Sequence, residues 1–156
     1  MTYGHKLQTY RANQVATTDP GTLLLLLYQG TIDFLGHAKA AVVRGDMAEK
    51  GRCITRALAI ISELLTSLNF EVGAEVARNL ESLYLFMIDH ITNANLANDP
   101  KPLDETIRLL ATLKEGWEGA VAEERKRVTR ESQMPSTVEH REARPQHHVY
   151  SLATRA

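Results

Sequence analysis

The sequence predicts an all-α protein: an antiparallel up-down-up-down four-helix bundle with an N-terminal covering segment. Three observations predict it. Strand signals are almost absent, four long segments repeat their apolar residues at spacings of three and four, and only a few residues separate each segment from the next. Connections that short make sequential helices antiparallel neighbours. The organisation read from this pattern is a covering segment over residues 1–18, a bundle over 19–127 and a disordered tail over 128–156.

The first helix opens at Asp19-Pro20, an N-cap residue followed by proline at the first helical position, and ends near Arg44-Gly45, where glycine can take the left-handed cap. Its apolar face reads Leu24, Leu27, Tyr28, Thr31, Leu35, Ala38, Val42. The second opens with Asp46-Met47-Ala48-Glu49, which resembles a capping box, and carries Ile54, Leu58, Ile61, Leu65 and Leu68. After a brief connection over residues 69–73, the third presents Val76, Leu80, Leu83, Tyr84, Met87, Ile88 and Ile91, and ends near Asn95 or Ala97. Asp99-Pro100-Lys101-Pro102 then supplies a turn and a proline start for the fourth, with Leu103, Ile107, Leu110, Leu113, Trp117 and Val121 along one side. Four helices of about 20 to 25 residues follow, each roughly 30 to 38 Å long. Beyond about Val128 the chain holds Pro135, Pro145, many Ser, Thr, Arg and Glu, and the pair His147-His148, a composition that buries too little surface to order itself.

Composition excludes several classes of function. At 156 residues the chain is long enough for one core without disulfides or a metal. A formal net charge of -1 leaves no overall basic field to gather nucleic acid. The cluster Arg125-Lys126-Arg127, with Arg130, falls at the end of the fourth helix, where cations oppose the helix dipole, and no aromatic residues interleave with it. The single cysteine, Cys53, has no internal partner, which suits a reducing cytoplasm. The leucine run over residues 23–27 is far shorter than the roughly 20 apolar residues that cross a bilayer. It also lacks the basic start of an export signal, so neither membrane insertion nor export of this chain is expected.

Nothing in the sequence suggests an enzyme. A carboxylate-bridged dimetal bundle needs Glu-x-x-His on two helices, and none occurs. Asp33 and His37, one turn apart, read as a solvated polar stripe with Gln29 and Arg44, and His90 beside Asp89 reads the same way. There is no nucleophile elbow and no glycine-rich phosphate cradle. No catalytic residue, metal ligand or cofactor is assigned.

What stands out is apolar surface in the wrong place. The polar stripe Gln29, Asp33, His37 extrapolates back to Leu25 and Leu26, so those leucines should look away from the core. Leu85 and Phe86 share faces with Ser82, Asp89, His90 and Asn93, and Leu109 lies between Arg108 and the Thr112 side, off its core stripe. Each such side chain gains on the order of 1.5 to 3 kcal/mol when buried, so several exposed together mark a partner site. These five form the expected partner-binding groove. Residues 1–18, with Leu7, Tyr10 and Val15, are the expected cover, giving way to an amphipathic or extended peptide in the helix-in-groove manner. A constitutive homodimer burying the same leucines is the alternative.

Three stretches carry a resemblance to a known family. They are "YRANQVATTDPGTLLLLLYQGTIDFLGHAKAA" at residues 10–41, "SLNFEVGAEVARNLESLYLFMIDHITNAN" at 67–95, and "LLATLKEGW" at 109–117. Their order and spacing resemble the flagellin export chaperones of bacterial flagellar secretion, the FliS family, across about residues 10–120. Asp19 departs from the small residue usual before the proline, and Gln29 stands where an acidic residue is common. The resemblance implies a cytoplasmic four-helix bundle that holds the C-terminal segment of flagellin, blocks premature polymerisation and delivers the client to the type III flagellar export apparatus. It also implies a client that wraps the bundle, partly as short helices, and an N-terminal cover that moves aside.

Overall fold

The computed structural model describes residues 19–135, and all four expected helices are present: α1 (Pro20–Arg44), α2 (Met47–Thr66), α3 (Ala74–Ala97) and α4 (Lys101–Gln133). The helix ends form where local chemistry satisfies their unpaired backbone groups. Asp19 caps α1 by accepting from the Thr22 amide at 3.0 Å and the Thr22 hydroxyl at 2.7 Å. At the other end Gly45 takes φ 76°, and the amides of Gly45 and Asp46 donate to the carbonyls of Val42 and Ala41. That is a Schellman closure, which needs a residue free of Cβ strain. Asp46 then caps α2 through the Glu49 amide at 3.1 Å. Glu49 does not complete a reciprocal box; its carboxylate meets Cys53 Sγ and pairs with Arg52.

Asn69 folds the connection to α3 by accepting from the amides of Glu71 and Val72. Gly73 enters α3 at φ 68°, and Asn98 leaves it at φ 50°, a left-handed position that asparagine tolerates better than most residues. Asp99 accepts from the Lys101 amide at 3.0 Å as α4 begins.

Each helix packs on two others around a closed ring: α1 on α2 and α4, α3 on α2 and α4. The ring is antiparallel at each seam where side chains bridge. Lys39, late in α1, meets Asp104, early in α4, at 2.7 Å. Arg125, late in α4, reaches the α1 cap at Thr22 Oγ1 (2.6 Å) and Asp19 (3.4 Å). Lys50, early in α2, donates to the Asn95 carbonyl and to Asn98 at the end of α3. These fix up-down-up-down topology. Gly21 allows the closest approach of α1 and α4, since a Cβ there would lie 2.9 Å from Val121 Cγ2.

Between the helices lie Tyr28, Leu35, Ile54, Ile61, Met87, Ile91, Leu103 and Leu110, all essentially without solvent exposure. One polar contact crosses the diagonal of this core: Tyr28 Oη and Tyr84 Oη stand 2.5 Å apart. Burial pushes both phenols above their ordinary titration range, while the hydrogen bonds that Tyr28 makes with Tyr84 and Trp117 act against the rise on its own hydroxyl. Both therefore stay protonated at neutral pH.

Some details differ from the sequence reading. Val76, assigned to the core face of the third helix, is 49% exposed because it sits in the first turn of α3, at the end of the bundle. In α1 Ala41 is buried and Val42 only half-buried. In α2 the most buried positions are Cys53, Ile54, Ala57, Ile61 and Leu64, with Leu58, Leu65 and Leu68 packed at its edge. The fourth helix was expected to stop near residue 127 and instead runs to Gln133, 33 residues in all. Arg127 bridges Glu124 and Glu131 one turn to either side, and no glycine or proline occurs between Gly119 and Pro135. The expected cover, residues 1–18, and residues 136–156 of the expected tail lie outside the described residues.

Replacing Tyr28 by Phe should cost about 1–3 kcal/mol, because the Tyr84 hydroxyl is then stranded in the core, whereas Tyr84→Phe should cost less, since Tyr28 keeps Trp117. Urea unfolding of both single variants and the double variant checks this, with the double costing less than the sum. Asp19→Ala should cost about 1 kcal/mol at neutral pH. The Thr22 hydrogen bonds, aided by Arg125, hold the Asp19 carboxyl below its ordinary value of 3.8. Its contribution is therefore full above that value and lost as the pH falls through the lower folded one, so wild type and variant should converge in thermal melts taken at successively lower pH.

Candidate partner-binding surface

The residues assigned to the groove occupy three flanks of the bundle. Leu26 is 58% exposed on the outer face of α1, in line with Asp33, which accepts from Gln29 at 2.8 Å, and with exposed His37. Leu25 is half-buried, and it shares its edge with Ile32 and Lys39 at seven-residue steps. Since Lys39 reaches Asp104, that edge faces α4.

Leu85 and Phe86 are each 51% exposed, yet they do not lie together. Consecutive helical residues point about 100° apart. Phe86 shares its edge with His90, which meets Glu105 of α4 at 2.6 Å, so Phe86 flanks the α3–α4 seam. Leu85 falls on the opposite flank, toward α2. Leu109 lies one turn beyond Glu105 in α4, and Phe86 lies one turn before His90 in antiparallel α3, so these two face each other across the seam. Leu109 is half-buried and packs against the core. Phe86 and Leu109 are thus brought together, Leu25 and Leu26 share a helix diagonal to them, and Leu85 stands alone. Leu7, Tyr10 and Val15 lie outside the described residues.

Ionic contacts surround these apolar positions without gathering into a reactive centre. Asp104 accepts from both Lys39 and Arg108, which hold its carboxyl below the ordinary range. Cys53 is buried with Glu49 as its partner. No cluster of three or more His, Cys, Asp or Glu side chains that could hold a metal occurs among the described residues, and no described helix is long and apolar enough to cross a membrane. Every fully buried side-chain nitrogen or oxygen among them has a partner.

The sequence reading paired His90 with Asp89 in a solvated stripe. Its partner is Glu105, fifteen residues on, and its ring stacks on Phe86 with centroids 4.7 Å apart at 26°. A spacing of four from Phe86 was the only signal available in the sequence. Further exposed apolar side chains sit near the bundle ends: Val43, Met47 and Leu96 at one, Phe70 and Val76 at the other.

Comparison with known proteins identifies the fold's family. The family described as "Flagellar protein FliS" matches residues 3–124, most of the chain. The chain belongs to the FliS family. It is similar to the flagellar secretion chaperone FliSB of Pseudomonas aeruginosa, 42% identical over 106 residues that make up 68% of this chain and 84% of that one. The flagellar secretion chaperone FliS of Vibrio cholerae is 36% identical over 116 residues, 72% of this chain and 85% of its own. That of Salmonella typhimurium is 35% identical over 104 residues, 66% and 77% respectively. This is a chaperone family and not a family of enzymes. The last turns of α4 and residues 136–156 lie beyond the FliS match.

Surplus surface and core should separate in stability measurements on this FliS-family chain. Leu110→Ala, at a position with no exposure, should cost about 2–5 kcal/mol in urea unfolding. Phe86→Ala should cost about 1 kcal/mol or less.

Proposed function

We propose that this chain is a cytoplasmic export chaperone that holds the C-terminal segment of flagellin, keeps it from polymerising early and passes it to the flagellar type III export apparatus. The observation that carries this reading is the set of half-exposed apolar side chains, Leu26, Leu85 and Phe86, standing on separate flanks of a bundle from a secretion-chaperone family. A compact client would cover one flank. A disordered segment can follow the surface and bury side chains on several, each worth on the order of 1.5 to 3 kcal/mol, against the entropy lost on ordering.

The contact residues proposed are Leu25, Leu26, Leu85, Phe86 and Leu109, with Leu7, Tyr10 and Val15 in a cover over residues 1–18 that the client displaces. Blocking polymerisation is then competition, because the segment held by the chaperone is withheld from packing against other flagellin subunits. No nucleotide, metal or cofactor is needed for an exchange of apolar contacts. A homodimer accounts for the same residues less well, since an isologous contact uses one self-complementary patch and leaves the remaining flanks bare.

Phe86→Asp should weaken binding of a synthetic flagellin C-terminal peptide at least tenfold, about 1.4 kcal/mol, in isothermal titration calorimetry while leaving the melting temperature near wild type. A variant that unfolds would place Phe86 in the core, and an unchanged affinity would remove it from the contact set.

A further inference from the structure

Phe86 stands half in solvent, where a phenylalanine on a helix would ordinarily sample more than one rotamer. Here its ring is not free. His90, one turn further along α3, stacks against it with centroids 4.7 Å apart and planes 26° from parallel. The imidazole is held from its other side, where Nε2 lies 2.6 Å from Glu105 Oε2 on α4. The His90 side chain is 26% exposed and that of Glu105 46%, so the bridge lies at the rim of the seam and not within the core.

We propose that His90, anchored by Glu105, is a positioning residue that holds the Phe86 ring ready across the α3–α4 seam for an incoming apolar side chain of the client. The inference rests on the reading of Phe86 as a client contact. Its physical basis is preorganisation: ordering a side chain before the partner arrives removes that cost from binding. Leu109 stands at the level of Phe86 on the facing helix and packs against the core, so the held ring and a fixed apolar side chain flank the same stretch of the seam. Glu105 has the matching role on α4. Whether His90 is neutral or charged, an Nε2–H donates to the carboxylate, so the bridge needs an acceptor at position 105 and not a particular net charge.

The test is a double-mutant cycle on the full chain, read by titration with a synthetic peptide of the flagellin C-terminal segment and by thermal melting. His90→Ala should weaken peptide binding about three- to tenfold with Phe86 present and have no further effect in the Phe86→Ala background. Glu105→Ala should reproduce the loss, and Glu105→Gln, which still offers an acceptor oxygen, should restore most of it. Melting temperatures should stay near wild type throughout. If Phe86→Ala weakens binding while His90→Ala is neutral, or if their losses simply add, His90 does not act through Phe86 and the positioning role falls, with the contact site left standing. Should Phe86→Ala itself bind as wild type does, both the site and the role assigned to His90 fall.

Discussion

The hydrogen bond between Tyr28 and Tyr84 is the constraint that gives this bundle a single register. Apolar packing around the ring α1–α2–α3–α4 is non-directional, and leucine-rich faces can slide by a turn at modest cost. The diagonal pair α1 and α3 has little direct contact except through the centre. There two phenolic oxygens stand 2.5 Å apart with essentially no solvent exposure. A one-turn slip of α3 would leave the Tyr84 hydroxyl unpartnered in a dry interior, at about 1–3 kcal/mol, while Tyr28 would keep only Trp117. Because α3 is held in this way, the level of His90 against Glu105, and so of Phe86 against Leu109, is fixed as well.

Helix ends and helix count were legible in the sequence because they are set by neighbours in the chain. Asp19-Pro20, Gly45 and Asp46 act within four residues of themselves, and each caps as its chemistry requires. The α2 face was less legible. Small residues such as Ala57 reach the centre of a tight interface ahead of larger ones, and a pattern reading that weights Leu and Ile aims the face slightly off. The length of α4 was missed for the converse reason. Beyond Val121 the helix buries little, and the Arg127 bridges to Glu124 and Glu131 give it no apolar period to read.

The surface was legible one helix at a time. The polar stripe of α1 does lead back to exposed Leu26, and Leu85 and Phe86 are exposed on α3. What the periodicity could not supply was the relation between helices. That Phe86 opposes Leu109, or that Leu85 looks to the other side, follows only once α3 is known to lie between α2 and α4. The His90–Glu105 bridge was hidden for the same reason, since an exposed histidine beside an aspartate reads locally as a solvated pair.

The contact of Arg125 with Thr22 and Asp19 has a practical corollary for handling the molecule. It anchors the first described residue beside the distal half of α4, so residues 1–18 join the body at the same pole toward which the last turns of that helix project. The opposite pole is bounded by the reversals at Gly45 and Asn98, so a surface linkage or a fluorophore placed there stays clear of the Arg125 contact with the α1 cap.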